Sequence, residues 1–231
     1  MPLIEVEAVS HTYPAQSRPV LRDVTVELNE RRVGVIGANG SGKSTFARLL
    51  NGLVLPDRGT VRIDGLDTRR DGKRVRQLVG FCFTDPDAQI VMPTVAEDVA
   101  FSLRRRQLQG RALADRVAEA LRRFGLERHA DHPAHLLSGG QKQLLALASV
   151  LVTEPALVVM DEPTTLLDLR NARLIADLVA GLDEQVVLLT HHLDLIDGFD
   201  RVLVFDDGRI VADDRPASAV TAYRQLIGAG R

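Results

Sequence analysis

Gly37-Ala38-Asn39-Gly40-Ser41-Gly42-Lys43-Ser44 is the stretch that decides the fold of this chain. Its glycines let the backbone curl until successive N–H groups point at one spot, which makes a concavity for an anion. A short apolar burst, Val33 to Ile36, runs into the loop, and helix-compatible sequence from Ser44 to Leu50 runs out of it. The helix contributes its positive N-terminal end to the same spot. In that context the loop cradles phosphate groups. Lys43 reaches the outer phosphates, and the Ser44 hydroxyl ligates Mg2+.

Downstream lies Leu157-Val158-Val159-Met160-Asp161-Glu162. An apolar strand ending in two carboxylates is odd as mere structure, because a buried charge needs a partner. A metal ion supplies one. Asp161 suits the Mg2+ shell, and Glu162 suits a general base that orients or deprotonates an attacking water. Taken alone such a strand end is ambiguous; after a phosphate loop it is not.

Around these two anchors the chain alternates strands and helices. Leu3 to Val9 and Val20 to Leu28 alternate apolar and polar residues and read as strands, as does Thr60 to Asp64. Leu78 to Phe83 reads as a buried strand. The middle changes character: Thr94 to Gln107 and Arg111 to Phe124 are helical, the latter with Leu113, Val117 and Leu121 on one face. An apolar helix runs from Ser138 to about Leu151. Then strands at Leu157 to Met160, Val186 to Thr190, Val202 to Phe205 and Arg209 to Ala212 are interleaved with a helix from Asp168 to Leu182, and a last helix follows Pro216. Short apolar strands alternating with helices imply a mainly parallel sheet covered on both faces. The helical stretch between them implies a separate lobe.

Composition sets the limits. The 231 residues are 45% hydrophobic and 26% charged, with a formal charge of −2, so no global basic field favours nucleic acid as a partner. Cys82 is the single cysteine, which leaves no intramolecular disulfide; between Phe81 and Phe83 it reads as a buried core thiol. The first residues alternate apolar and polar rather than forming a secretion signal. No uncharged apolar run is long enough to span a bilayer, so a cytoplasmic location is expected.

A third element completes the set. Leu137-Ser138-Gly139-Gly140-Gln141 opens a helix twenty residues before Asp161, and its serine and glycines again suit an anion at a helix N-terminus. A plain serine N-cap would look the same. One nucleotide needs only one phosphate cradle, so a second makes sense if it closes over ATP held by a partner subunit. The three elements resemble the Walker A, signature and Walker B motifs of the ABC ATPase family, in the family's order and spacing and over essentially the whole chain. The resemblance implies an α/β P-loop NTPase fold with a mainly parallel core sheet, an antiparallel β subdomain and a helical lobe. One domain then spans 1–231, with 1–83 and 152–231 forming the core and β subdomain and 84–151 the lobe. It also implies roles by position: Tyr13 stacking on adenine, Asp168 ending the D-loop, His191 after Thr190 contacting the γ-phosphate. Gly37 to Thr45 and Ser138 to Gln141 bind nucleotide, Glu162 and His191 act in hydrolysis, and Ser44 and Asp161 hold the metal. Two copies arranged head to tail are implied, each ATP lying between Lys43 of one and Ser138 of the other.

Asp85-Pro86-Asp87-Ala88-Gln89-Ile90 and Pro93 to Phe101 are similar to the ATPases of energy-coupling-factor importers of vitamins and cobalt. In that group this stretch faces the membrane partner. The resemblance therefore implies integral membrane coupling and substrate-binding subunits, a peripheral location on the cytoplasmic face of the cell membrane, and biotin as cargo. Cobalt or nickel import is the alternative, and a non-transport ABC ATPase acting as a nucleotide-gated switch is the other. His129, His132 and His135 form an H-x-x-H-x-x-H string, but Pro133 interrupts any continuous helix, so the rings need not converge on a metal. The arginines at 104 to 106 and the cluster Arg69 to Arg76 read as solvated faces. One departure stands out. The family usually carries glutamine after the strand that opens the lobe, where it senses the metal and the attacking water; here Phe83 is followed by Thr84. A threonine is too short to do this without a bridging water. Replacing Thr84→Gln is expected to raise the ATPase rate, measured as phosphate release at saturating Mg2+-ATP; an unchanged rate counts against this account of Thr84.

Overall fold

The computed structural model describes residues 1–228, apart from the side chain of Arg105. Strands β1 (Ile4–His11), β2 (Leu21–Leu28) and β3 (Arg32–Gly37) lead into α1 (Lys43–Leu50). Next come β4 (Arg58–Ile63), β5 (Leu66–Asp67), α2 (Gly72–Leu78) and β6 (Val79–Cys82). Helices α3 (Val95–Leu103), α4 (Gly110–Arg123) and α5 (Gly139–Leu151) follow, then β7 (Leu157–Asp161) and α6 (Leu169–Ala180). The chain finishes with β8 (Gln185–Leu189), β9 (Arg201–Asp206), β10 (Arg209–Asp214) and α7 (Pro216–Gly228).

The chain divides into two units, one of residues 1–79, 156–162 and 182–231 and the other of residues 80–155 and 163–181. In the first, β9, β3, β8 and β7 run parallel side by side, and β10 adds an antiparallel edge. Every residue of β3, β7 and β8 is buried, as expected of strands covered on both faces. A second sheet, ordered β2-β1-β4-β5, is antiparallel throughout. Its strands alternate: in β2, Leu21, Val24, Val26 and Leu28 point inward and Asp23, Thr25 and Glu27 outward. This is the α/β architecture with an antiparallel subdomain that the sequence implies.

Register is what places the site. Val35 of β3 pairs with Leu189 of β8, and Leu189 pairs with Asp161 of β7. β7 and β8 therefore end at one level and β3 runs two residues further, so Gly37, Glu162 and Thr190 emerge along a common edge. Carboxyl ends of parallel strands are where open α/β sheets place their ligands.

The second unit is helical. In α4, Val117 and Leu121 are buried while Asp115, Glu119 and Arg122 face solvent, which follows the apolar spacing of its sequence. The unit takes in residues 163–181, which the sequence reading had assigned to the core, and begins and ends a few residues outside the expected 84–151. Here α6 packs onto the start of α5: Gly140 faces the Asn171 side chain so closely that a Cβ on it would lie 2.5 Å from Asn171 Cγ. Cys82 is fully buried, and burial pushes its thiol up to about 12.

The segment from Pro93 to Asp98 folds inward. Thr94 caps α3 in a capping box with Glu97, whose carboxylate accepts from the Thr94 N–H. Asp98 is only 3% exposed; it accepts from the N–H groups of Val91 and Met92 and from the Ser149 hydroxyl. One carboxylate thus ties the turn before α3 to the body of α5. Asp98→Leu leaves those donors without an acceptor and is expected to destabilise the chain by about 3 kcal/mol, whereas Asp98→Asn, which still accepts, should cost about 1 kcal/mol. Urea unfolding followed by circular dichroism measures both, and equal losses would contradict the role given to Asp98.

Candidate functional site

The loop between β3 and α1 is built around glycine. Gly37 has φ 149°, and a Cβ there would sit 2.2 Å from the Phe205 carbonyl oxygen. Gly42 has φ 105°, with Val20 O 2.8 Å from the same hypothetical atom. Both positions need the residue without a side chain. Gly42 is also the N-cap of α1, and it offers no capping group. By contrast α3, α5 and α6 are capped by Thr94, Ser138 and Asp168. The first-turn amides of α1 are therefore free of a side-chain cap and available to an anion.

Lys43 is 6% exposed and folds back on the loop, its ammonium donating to Gly37 O at 2.7 Å and Ala38 O at 3.0 Å. Burial holds its pKa below the ordinary value, against the opposing pull of Glu162 and Asp161. A cation kept on neutral carbonyls is poised for a stronger, anionic acceptor. Ser41 Oγ is buried without a hydrogen-bond partner among the described residues, a second group in want of one.

The carboxylates stand beside this loop. Ser44 Oγ donates to Asp161 Oδ1 at 2.8 Å. Asp161 is 2% exposed, and desolvation raises its pKa in spite of the Ser44 hydrogen bond and the nearby Arg48. Glu162 has a backbone φ of 54°, in the left-handed region that a residue with a side chain enters at a cost. Its N–H donates to Leu189 O at 3.0 Å, which continues the β7–β8 pairing one residue past the strand. Its Oε2 accepts from His191 Nδ1 at 2.7 Å and from the His191 backbone N–H at 3.3 Å. The two residues read as catalytic from sequence are thus in contact.

A cavity of about 440 Å3 opens over the loop, lined by Tyr13, residues 39–45 and Glu162. The Tyr13 hydroxyl lies 3.3 Å from Thr45 Oγ1, and its ring meets His11 edge-on. The sequence reading missed two cations in the wall, Arg18 and Arg22, the latter paired with Asp207 at 2.7 Å. No motif marks them. Likewise the turn after β9 supports the loop through Gly208 N–H to Ser41 O at 3.0 Å, across a sequence distance no local pattern encodes.

The signature segment lies in the helical unit. Ser138 is the N-cap of α5, its Oγ accepting from Gln141 N–H at 3.3 Å while Gln141 Oε1 accepts from Ser138 N–H at 3.0 Å. A capping box satisfies this helix end, so the plain N-cap that the sequence also allowed is present. The cap leaves room for an anion, because a hydroxyl that accepts from one partner still has a proton to donate to another. Asp168 is likewise occupied as the cap of α6, accepting from Asn171 N–H and Nδ2. Gln89 bonds Phe83 N–H and Ala146 O through its two amide ends and is not free to substitute for a glutamine at 84. The basic cluster before residue 76 belongs partly to α2, a helix the sequence reading did not find, in which Val75 alone is buried.

Residues 21–165 match the family described as ABC transporter. The chain belongs to that family. A protein of Deinococcus radiodurans is 54% identical over 96% of this chain and 98% of its own length. The biotin transport ATP-binding protein BioM of Rhizobium etli is 47% identical over the same shares. Among solved structures, cbiO1 from Clostridium perfringens, part of the ABC transporter complex cbiONQ, matches with a TM-score of 0.82 and 31% identity, covering 98% of this chain and 93% of that one. A dimeric ATP-binding cassette in a post-hydrolysis state, bound to ADP and Pi, matches equally well at 0.82 with 28% identity, covering 92% and 98%. As an ABC ATPase the chain binds ATP and hydrolyses it to ADP and phosphate, and it works with membrane subunits of a transporter. Among the described residues no helix is long and apolar enough to cross a membrane.

Proposed function

We propose that this ABC ATPase powers an energy-coupling-factor importer whose cargo is biotin, and that two copies sandwich ATP head to tail on the cytoplasmic face of the membrane. The observation that carries the catalytic part is the Glu162 side chain, held by two His191 donors at the mouth of a cavity floored by the Gly37–Thr45 loop. In this reading the uncapped amides of α1 and the Lys43 ammonium bind the β- and γ-phosphates, Lys43 exchanging two loop carbonyls for phosphate oxygens. Tyr13 packs on the adenine, and Arg18 and Arg22 add positive charge along the wall. Glu162 accepts a proton from water as its oxygen attacks the γ-phosphorus, while the bond to the β-phosphate oxygen breaks and ADP leaves. His191 positions the carboxylate.

Mg2+ fits the residues present. Asp161 is a carboxylate buried at the end of a largely apolar strand and accepts from the Ser44 hydroxyl, and a buried carboxylate with an adjacent hydroxyl is a hard oxygen donor set. Ser44 and Asp161 would hold the ion, which when bound supplies charge neutralisation at the phosphates.

Ser138 and Gly139 are exposed at the head of α5, with Leu136, Leu166 and Leu169 also exposed in the same unit at 68%, 62% and 68%. Apolar residues left in solvent around a serine N-cap suit burial by a second copy, and the dimeric, nucleotide-bound relative supports that arrangement. For the cargo, the identity to BioM exceeds that to cbiO1 at similar coverage, which favours biotin over cobalt or nickel. Because Asp98 is buried inside the lobe, the face offered to membrane subunits would consist of exposed neighbours such as Val91 and Glu97 rather than of that aspartate.

Affinity purification from membranes should co-purify integral subunits that bind biotin; a complex that binds only cobalt or nickel ions would replace this cargo with the alternative. Lys43→Ala should weaken ATP binding at least about a hundredfold in titration calorimetry, and retained tight binding would refute its assigned role. Glu162→Gln should lower turnover about a thousandfold while leaving ATP-driven dimers that persist on gel filtration; undiminished phosphate release would sink the general-base assignment.

A further inference from the structure

The histidine string is not absorbed by the site as described. His135 is exposed on the turn Ala134–Leu136, but His129 is engaged: its Nε2 lies 3.0 Å from Gln141 Nε2. Local chemistry settles which atom donates. The Ser138 backbone N–H can only donate, and it meets Gln141 Oε1 at 3.0 Å. That contact turns the amide oxygen toward Ser138 and the NH2 group toward His129. The NH2 group donates, so His129 Nε2 accepts, and the neutral ring carries its proton on Nδ1. Nδ1 is buried with no partner among the described residues. The other tautomer would require a reversed Gln141 amide, and a reversed amide would set an NH2 against the Ser138 N–H. The unsatisfied ring N–H is thus the local cost of holding Gln141 in one orientation. The His132 ring stands edge-on to His129 with centroids 5.2 Å apart.

We propose that His129 is a positioning residue for the Ser138–Gln141 segment. Its Nε2 holds the Gln141 amide, the amide holds the Ser138 N–H, and the Ser138 hydroxyl, fixed by the Gln141 N–H, keeps its proton for the triphosphate bound by a second copy. The ring itself touches neither nucleotide nor reacting atoms. The last link rests on the shared-site reading given above; the first two do not.

The test compares His129→Leu, which removes the acceptor, with His129→Gln, which returns a carbonyl oxygen at similar reach. Both are made in the full chain carrying Glu162→Gln. Hydrogen exchange at the Ser138 and Gln141 amides should speed up about fivefold in His129→Leu and return to the parent rate in His129→Gln. ATP-driven dimerisation by analytical ultracentrifugation should need about fivefold more ATP in the leucine variant, with ATP affinity of the monomer unchanged. Unchanged exchange in His129→Leu overturns the proposal, and so do leucine and glutamine variants that are equally impaired, since that marks a packing effect. If the parent does not dimerise with ATP, the shared-site reading fails while the exchange measurement still decides whether His129 holds the motif. Should His129→Leu not fold, His129→Asn, whose oxygen falls short, takes its place; exchange matching His129→Gln would then overturn the proposal.

Discussion

The site depends on hydrogen-bonded register among parallel strands. Val35, Leu189 and Asp161 stand at one level because β3 pairs with β8 and β8 with β7 without a slip. A one-residue slip in any strand would turn its side chains to the opposite face and shift its end by a residue's rise. Such a shift would part Ser44 from Asp161 or Glu162 from His191, contacts of 2.8 Å and 2.7 Å that tolerate no displacement of that size. The burial of β3, β7 and β8 along their whole length is therefore not only a stabilising core. It fixes where the polar residues beyond it must stand.

Helix ends divide the remaining work. The start of α1 is left to an incoming anion by a glycine N-cap, while α3, α5 and α6 close their own ends with side chains. For α5 the closure is peculiar, since it involves the same serine that the family motif marks. A capping box gives Ser138 a defined rotamer, and a defined rotamer gives its free proton a direction. Self-capping and the proposed recognition are compatible demands on one hydroxyl.

Much of this was legible in the sequence, and the rest was hidden for identifiable reasons. The parallel strands show as short unbroken apolar runs, and the amphipathic stripe of α4 shows at helical spacing. The phosphate loop and the strand-end carboxylates show because no ordinary turn or strand wants those residues there. Helix α2 was invisible because one buried valine among arginines and lysine produces no periodicity. The acids at 97 and 98 were read as part of a docking face, although Glu97 closes a capping box and Asp98 is buried; a charged residue with several backbone donors waiting for it looks in sequence like any surface acid. Arg18, Arg22 and Gly208 reach the loop only through long-range folding, so nothing near them announces it. The placement of residues 163–181 with the helical unit rests on packing of α6 against α5, including the close approach of Gly140 to Asn171, which sequence spacing does not show.

Glu162 shows how closely the parts are joined. Its left-handed backbone costs on the order of 1 kcal/mol or more, and that conformation persists only because neighbours over-determine it. One neighbour is the Leu189 carbonyl, which takes the Glu162 N–H and belongs to the strand beside it. Another is His191, two residues beyond that same leucine, which grips the carboxylate through both its backbone and its ring. Backbone and side chain of Glu162 are therefore held by one short segment at the end of β8. Anything that moves that segment moves the carboxylate, so the effects of changes at 162 and 191 should not add as independent sites would. In the proposed mechanism the same coupling would give a γ-phosphate contact at His191 a direct route to the carboxylate that takes the proton of the attacking water.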